Sequence, residues 1–402
     1  MVGENKKFIT NRLIGYLSPT DPHKDRFAWS GTYFNTCKAI EDAGYQVDWI
    51  PSYDKGKFFK IKLLFYKALH YIFYGKGSFD NSTLASKLRS QCANKHDLDQ
   101  YDFIFVPAQS EVIARLKTNR PIIHYSDATV SRRINYYWFG WSQKAIKDAN
   151  KIEQQTINKV SINILSSHWA AESVINEYHA PKEMVYVLPF GEGIDANKIT
   201  PSSAYHGGRL NILFSGVDWN RKGGGIAIDA VKKLIKDGYE ARLYICGIRD
   251  LNTEIGNLDF VENLGFLSKN NPDQYQKYLE AWHHTHLFLL PTRAECSAIV
   301  FCEANAYGVP IITTETGGTG DYVINDVNGY RMSLKATGDA YAAKIEEWIN
   351  TDRFNTLHEG ALKMYQESTS WKAWGRAFQR IVSEKLCSQH DDNFEGQITS
   401  KH

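Results

Sequence analysis

The chain has 402 residues, with 47 lysines and arginines against 45 aspartates and glutamates, and 43% of its residues are hydrophobic. This length predicts two domains or three small ones, and a charged fraction of 23% without a low-complexity tract excludes a disordered or fibrous chain. No run approaches about 18 uncharged apolar residues, and residues 1–12 are too polar for a signal peptide, so we expect a cytoplasmic protein.

The charges are unevenly distributed along the chain. Residues 1–190 contain 25 basic and 18 acidic side chains (25 − 18 = +7), and the remainder contains 22 and 27 (22 − 27 = −5). The two halves therefore differ in surface potential. The 6 cysteines form no CxxC pair, which predicts free thiols rather than disulfides or a zinc site.

Short apolar runs alternate with helix-length amphipathic segments along the whole chain. Runs of this kind predict parallel strands covered by helices on both faces. The pattern therefore indicates an α/β protein of two doubly wound domains, with the boundary near residues 191–209. The predicted strands are Leu13–Ser18, Gln46–Ile50, Asp102–Pro107, Pro121–Tyr125, Ser161–Leu165, Met184–Leu188, Leu210–Gly216, Ala241–Gly247, His286–Thr292 and Pro310–Glu315.

The loop after the strand Leu210–Gly216 has the composition of an anion site. Arg221 and Lys222 precede three glycines that begin a helix. Glycines let backbone N–H groups approach an anion, and the helix amino end and two cations add positive charge. The pattern suits a diphosphate. A glycine turn with solvated cations is the alternative.

Two glutamates, Glu295 and Glu303, follow the strand His286–Thr292. A helix is predicted from about Ser297 to Tyr307, with Gly308 ending it. In a continuous helix the glutamates would be about 12 Å apart along the axis, beyond the usual spacing of a glycosidase carboxylate pair. Their separation suits contacts with the two ends of one long ligand. The alternative is that both carboxylates have structural roles.

Taken together, these motifs resemble family 4 glycosyltransferases, retaining enzymes of the GT-B fold. The resemblance covers nearly the whole chain. It rests on Arg221-Lys-Gly223, Glu295 and Glu303, Ala306–Pro310, Thr316–Gly318, Trp29–Tyr33, Tyr125–Thr129, Ser167–Ala170 and Val187–Gly191. One departure is that Ser297-Ala298 stands where a typical member has Phe-Gly.

The resemblance implies a role for each site residue. Arg221 and Lys222 would bind the donor diphosphate, Glu303 the ribose hydroxyls and Glu295 the transferred sugar. Backbone N–H groups around Ala298, Ile299 and Val300 would cap the phosphates, Gly216 would line the donor site, and Leu267 would lie near the base. The implied catalytic residues are Glu295, Asp127, Arg221 and Lys222.

Two places in the first half add candidates. Gly31 begins a helix after the first strand and would let that helix end approach a donor phosphate or the acceptor. Asp127 follows the strand Pro121–Tyr125 and is placed to accept a hydrogen bond from an acceptor hydroxyl or the donor sugar. A helix cap is the alternative for both. The one DxD motif, Asp97–Asp99, precedes its strand and so lies at the wrong end of the sheet for a metal–diphosphate site.

Residues 55–77 contain 6 lysines and no acid among many aromatic and aliphatic residues. A basic amphipathic helix of this kind suits an anionic membrane surface, and the alternative is an ordinary helix packed on the sheet.

The expected architecture is an acceptor-binding domain 1–195, a donor-binding domain 196–370, a helix 371–386 that returns to the first domain, and a frayed tail 387–402. The expected function is retaining transfer of a sugar from a nucleotide diphosphate sugar to a glycan, glycolipid or protein-linked acceptor, in the cytoplasm or at the inner membrane face. No cofactor, metal or nucleic-acid partner is expected. A GT-B nucleotide-sugar epimerase and a non-catalytic partner subunit are the alternatives.

Overall fold

The computed structural model describes residues 12–54 and 56–387. Lys55, nearly all of the segment examined for a signal peptide, and the expected tail from residue 388 lie outside the described residues. The contacts divide the chain into two units. Unit 1 ends at Leu188 and resumes at Trp374, and unit 2 comprises Pro189–Ala373. The expected boundaries, 195/196 and 370/371, stay a prediction about functional domains.

Unit 1 contains a sheet of six parallel strands in the order β2-β1-β3-β4-β5-β6. The central strands are almost wholly buried, as their apolar sequences predict. Gly15 in β1 leaves little room for a side chain, because a Cβ there would lie within 2.9 Å of the side chains of Ile50, Tyr101 and Ile104 and would force them to shift. The strands are β1 Leu13–Ser18, β2 Gln46–Pro51, β3 Phe103–Pro107, β4 Ile122–Ser126, β5 Ile162–Leu165 and β6 Val185–Val187.

The helices of unit 1 begin mostly at side-chain caps. Ser82, Thr129, Ser142 and Ser167 each accept a hydrogen bond from a backbone N–H in the first turn of the following helix. The helices are α1 Thr32–Asp42, α2 Lys57–Tyr74, α3 Thr83–Ala93, α4 Ser110–Ile113, α5 Val130–Arg133, α6 Gln143–Ile157 and α7 His168–Asn176.

Unit 2 contains a second sheet of six parallel strands, in the order β12-β11-β10-β7-β8-β9. The two edge strands were not predicted from the sequence. The strands are β7 Leu210–Ser215, β8 Ala241–Cys246, β9 Val261–Gly265, β10 Leu287–Leu290, β11 Ile311–Thr314 and β12 Gly329–Met332. The helices are α8 Gly224–Lys236, α9 Thr253–Gly256, α10 Pro272–His283, α11 Ile299–Ala306, α12 Gly338–Asn350 and α13 Phe354–Glu367.

Helix α14 (Trp371–Val382) starts in unit 2 and continues in unit 1, and a π-helical turn, Ser383–Cys387, follows it. In unit 1 its Trp374 stacks on Phe378 with ring centroids 5.0 Å apart, and both rings contact Phe105 of β3. Gly375 lies against the backbone of Ala39 in α1, where a Cβ would approach the Ala39 carbonyl oxygen to 2.8 Å. The returning helix therefore completes the core of unit 1.

Within the described residues, no helix is both long and apolar enough to cross a membrane. As predicted, Cys37, Cys92, Cys246, Cys296 and Cys302 form no disulfide within the described part of the chain, and all five are buried.

Candidate functional site

The loop between β7 and α8 brings two cations to the carboxyl edge of the unit 2 sheet. Asp218 folds the loop by accepting a hydrogen bond from the Arg221 N–H at 3.1 Å. Gly223 has φ +77°, and a Cβ there would lie 2.0 Å from the carbonyl oxygen of Pro291. Only glycine fits this position, so backbone geometry requires Gly223 directly after the two cations.

Lys222 is buried and pairs with Glu295. Its ammonium donates to a carboxylate oxygen of Glu295, and the Arg221 guanidinium lies 3.8 Å from the same oxygen. Arg221 also donates to the carbonyl oxygen of Ala294 at 3.0 Å. The family resemblance implies that these cations and Glu295 contact different parts of one donor. The structure brings the three side chains together in a single charged cluster.

Helix α11 begins beside this cluster at Ile299, two residues later than expected. Its first position is preceded by the buried Ala298, and no side chain caps its amino end. Helix α8 also begins without a side-chain cap. The first N–H groups of a helix have no partner within it, so both ends are suited to an anion. Glu295 lies in the preceding loop, where its carbonyl accepts from the Gly318 N–H at 3.0 Å.

Glu303 lies on α11, four residues after its start, and is almost completely buried. Its carboxylate accepts hydrogen bonds from the Lys269 ammonium at 2.7 Å and from the Tyr278 hydroxyl. Lys269 also donates to the carbonyl oxygen of Gly193 at 2.8 Å. Burial, and then the Glu303 charge, raise the pKa of Tyr278 well above its usual value, so the phenol stays a donor to Glu303.

Gly216 and Leu267 lie at the same edge of the sheet. Gly216 follows β7 and donates to the Cys246 carbonyl at 3.0 Å, and a Cβ on it would meet the Lys222 side chain at 2.9 Å. Leu267 lies two residues after β9 and is partly buried. Ile299 and Val300 are partly buried in the first turn of α11. Their assignment to phosphate and base contacts stays a prediction.

Sequence reasoning missed Lys269 and Tyr278. Lys269 follows β9, an edge strand whose sequence, VENLG, is too polar to be recognised as a buried run. Without that strand, the position of Lys269 just beyond a strand end could not be seen. Tyr278 lies on α10, six residues after its first residue, and nothing in a lone tyrosine of an amphipathic helix indicates a carboxylate partner.

In unit 1, Asp127 lies just beyond β4 and forms an ion pair with Arg133, 2.5 Å from guanidinium nitrogen to carboxylate oxygen. Arg133 was also missed, although it lies only six residues further along the chain. Gly31 precedes α1, at its expected place before a helix, and its φ of +83° is a left-handed conformation that favours glycine. His124 is buried in β4, and desolvation lowers its pKa to about 4, so it remains a neutral core residue.

One group among the described residues has the composition of a metal site. His23, Cys37 and Glu41 have ligand atoms within 4.8 Å of one another. His23 Nε2 lies 3.0 Å from a Glu41 oxygen and 3.6 Å from the Cys37 sulfur. Burial raises the pKa of Cys37, which disfavours the thiolate that a metal requires. The contacts are those of a hydrogen-bonded cluster.

The two doubly wound sheets, with a charged loop and uncapped helix ends at the strand carboxyl edge, define a GT-B fold. Solved structures share it. The chain is similar to HepE from Anabaena, in complex with UDP and glucose (16% identity, TM-score 0.60, 93% of this chain and 100% of that one), and to sucrose-phosphate synthase from Thermosynechococcus elongatus (15% identity, TM-score 0.62, 94% and 100%). The expected fold is confirmed.

Residues 195–366 match the family model described as "Glycosyl transferases group 1". The predicted resemblance to glycosyltransferases is thereby confirmed for the region that contains the charged cluster. Among curated proteins, the chain is similar to the capsular polysaccharide biosynthesis glycosyltransferase CapM of Staphylococcus aureus, with 28% identity over 37% of this chain and 39% of CapM. The chain spans about half the length, or less, of the first curated relatives that it matches.

Proposed function

We propose that this protein is a glycosyltransferase that moves a sugar from a nucleoside diphosphate sugar to an acceptor hydroxyl. One observation carries the proposal. Arg221 and Lys222 lie on the loop that begins α8, and Glu295 and Glu303 lie on the two sides of the uncapped amino end of α11. The site therefore offers cations and N–H groups to a diphosphate, with a carboxylate on either side for hydroxyl groups. The matching family model and the UDP and glucose of the HepE complex support it.

The roles within the donor follow from chemistry. Arg221 and Lys222 meet the diphosphate, whose negative charge grows as the sugar departs, and fixed cations stabilise that charge without reorganising. Glu303 can accept hydrogen bonds from both ribose hydroxyls once these replace Lys269. When the diphosphate replaces Glu295 as the partner of Lys222, the Glu295 carboxylate becomes available to the sugar.

We further propose that transfer is retaining and needs no metal. With the leaving diphosphate stabilised by Arg221, Lys222 and helix N–H groups, the acceptor attacks on the face that the diphosphate leaves, and the leaving phosphate takes the proton. No protein nucleophile is required. Activity should persist in excess EDTA; a complete loss that magnesium restores would refute the metal-free mechanism. The anomeric configuration of the product, read by NMR, tests retention.

The acceptor belongs with unit 1, where Asp127 can accept a hydrogen bond from the attacking hydroxyl. We expect a glycan, glycolipid or protein-linked acceptor, and the similarity to CapM, a glycosyltransferase of capsular polysaccharide biosynthesis, supports a role in glycan assembly. The cytoplasmic location stays a prediction.

The test is a thermal-shift panel with UDP, GDP and ADP, followed by hydrolysis and transfer assays with sugars of the nucleotide that stabilises the protein. We expect stabilisation by one nucleoside diphosphate and release of that diphosphate from its sugar. Donor turnover that yields a new sugar epimer without an acceptor would identify an epimerase instead. Failure to bind any nucleotide would identify a non-catalytic subunit.

A further inference from the structure

Helix α2 packs into unit 1 through one narrow stripe. Phe59, Leu63, Tyr66 and His70 follow one another at spacings of four, three and four residues, which places them on one face. Phe59 and His70 are buried, and Leu63 and Tyr66 pack with Phe59 against a cluster of Phe79, Ala85, Leu88 and Cys92. The helix therefore rests on α3 and its preceding turn. The alternative from the sequence, an ordinary helix packed on the sheet with its lysines toward water, does not account for the large apolar side chains of this helix that stay exposed.

The opposite face of α2 is also apolar, and it is exposed. At about 100° per residue, Ile61, Leu64, Phe65, Ala68 and Ile72 lie within an arc of about 100° on the side away from Phe59. Isolated exposed apolar residues are ordinary, but a contiguous patch of large ones marks an interaction surface. The large apolar side chains of this helix with 59% to 85% of their surface exposed are Phe58, Ile61, Leu64, Phe65, Tyr71, Ile72 and Phe73.

Lysines border this exposed face on both sides. Lys60 and Lys67 lie along one edge of the apolar arc, and Lys62 lies along the other, while Lys57 is in the first turn. All four are exposed. No acidic residue occurs between positions 56 and 77. The neighbouring carboxylates have other partners, because Asp54 lies 3.9 Å from Lys95 and Asp80 accepts from Arg89 at 2.5 Å. The border is therefore positive without compensation from the helix itself.

An aromatic loop lies beside the carboxyl end of α2. Residues 136–141 read YYWFGW, and Trp138 stacks on Trp141 with ring centroids 4.6 Å apart. The following residue, Ser142, fixes the loop to the helix end: its N–H donates to the Lys76 carbonyl at 2.8 Å and its hydroxyl donates to the Tyr74 carbonyl. Phe139 at the loop tip is 63% exposed. The loop thus places one exposed aromatic ring, Phe139, beside the carboxyl end of the helix.

We infer that α2 and the loop 136–141 form a docking surface for an anionic lipid bilayer. The helix lies in the plane of the headgroups, with its outward face at the boundary of the acyl chains. Lys60, Lys62 and Lys67 extend their stems along the apolar surface and place their ammonium groups among lipid phosphates. Aromatic rings of the loop suit the same depth, since such rings favour the membrane interface.

Charge distinguishes a bilayer from a second copy of the chain as the occupant of this surface. In a two-fold dimer through α2, the same surface meets itself, so lysines at the border of one helix would face lysines of the other. Like charges at an interface oppose association, whereas anionic headgroups complement both lysine borders. A bilayer also accommodates a convex helix face without needing a matching groove.

The experiment is co-sedimentation of the full chain with vesicles of phosphatidylcholine alone or with 30% phosphatidylglycerol, at low and at high salt. We expect partition into the anionic vesicles to exceed that into neutral ones by roughly tenfold or more at low salt, and to fall at high salt. The charge variant K60E/K62E/K67E should lose roughly a hundredfold in partition, and the apolar variant I61S/F65S/I72S should lose roughly tenfold. Phe139→Ser should weaken it by a smaller factor.

Matched controls come from the exposed side of α8, with K232E/K236E for charge and Ile235→Ser for the apolar face; all three positions are exposed. These variants should bind vesicles as the wild type does. Because the inference does not depend on the proposed function, nucleotide-induced thermal shifts are measured in parallel and should be unchanged in the α2 variants. Equal binding to neutral and anionic vesicles, no binding at all, or a dimer that I61S/F65S/I72S dissociates would each overturn the proposal.

Discussion

Arg221 and Lys222 are neighbours in sequence with different surroundings. The Lys222 side chain is 10% exposed and is paired with Glu295, whereas that of Arg221 is 26% exposed and donates to a backbone carbonyl. A diphosphate gains negative charge as it leaves, so both cations should contribute more in the transition state than in the bound donor.

We predict that Arg221→Ala or Lys222→Ala lowers turnover by about a hundredfold, as loss of an oxyanion contact does. Steady-state kinetics with the identified donor measures this, with thermal unfolding as a check on folding and Lys232→Ala on α8 as the control. Near wild-type turnover in both variants would remove the diphosphate assignment.

Substitutions of Glu295 and of Glu303 should affect different properties, namely transfer and nucleotide binding. Glu303→Ala removes the acceptor assigned to ribose and should mainly weaken binding of the free nucleoside diphosphate. Glu295→Ala should spare that binding and depress transfer. Calorimetric titration of the nucleotide and turnover with the full donor separate the two. If both variants lose nucleotide affinity equally, the assignment of the glutamates to different ends of the donor is wrong.

At the scale of elements, the sequence predicted the ten strands that are apolar and failed on two. β9 and β12 are edge strands, with sequences VENLG and GYRM, and most of their residues are only partly buried. A strand with one neighbour does not need an unbroken apolar run, so the polar residues of β9 and β12 concealed them, although the edge strands of unit 1, β2 and β6, were predicted. The same dependence on recognised strands determined which site residues could be predicted. Glycines, cations and carboxylates next to recognised strands were found, and Lys269 next to β9 was not.

Ion pairs were the other feature that sequence could not supply. The pairs Lys222–Glu295 and Asp127–Arg133 join residues that lie in or near motifs recognised in the sequence. Which of these residues pair with each other depends on how their side chains are placed across loops. The Lys222 pair spans 73 residues of sequence. The spacing of a motif predicts the strand end at which a residue lies. The packing of the folded chain then determines which charged side chains form ion pairs.

Helix α14 should be essential to the stability of unit 1. Trp374 is buried and contacts Phe105, Tyr125 and Phe378. Trp374→Ala would leave a cavity, and we predict a loss of about 3 to 5 kcal/mol in the free energy of unfolding of that unit. Urea denaturation followed by circular dichroism measures it. Arg380→Ala, an exposed position on the same helix, is the control, and an equal effect of both changes would show that the helix does not complete the core.

For the molecule as a whole, a buried carboxyl group makes stability depend on pH. Burial raises the pKa of Glu153 to about 7, with Arg133 offsetting part of the shift. An unfolded glutamate has a pKa of about 4.3. Between these values the folded chain holds a proton that the unfolded chain releases, so this contribution is complete below about pH 4 and is lost as the pH rises through 7.

We therefore predict that the stability of the wild type relative to Glu153→Gln falls by about 3 kcal/mol between pH 4.5 and pH 8, from about 1.4 kcal/mol per pKa unit. Comparing the two proteins removes the contribution of His124, whose lowered pKa of about 4 acts in the opposite direction. Denaturant titrations across this pH range measure the difference, with the exposed Glu172→Gln as control. A pH-independent difference would show that Glu153 does not titrate in this range.

The return of α14 to unit 1 also sets an order of events on the ribosome. Synthesis proceeds from the amino end, so β1 to β6 emerge first, yet the rings of Trp374 and Phe378 that fill their core are made only after all of unit 2. Unit 2 is continuous in sequence and can be complete before unit 1 is. The part of the protein that is translated first is therefore the part that finishes folding last, and until then β3 and β4 lack the aromatic cover that α14 provides.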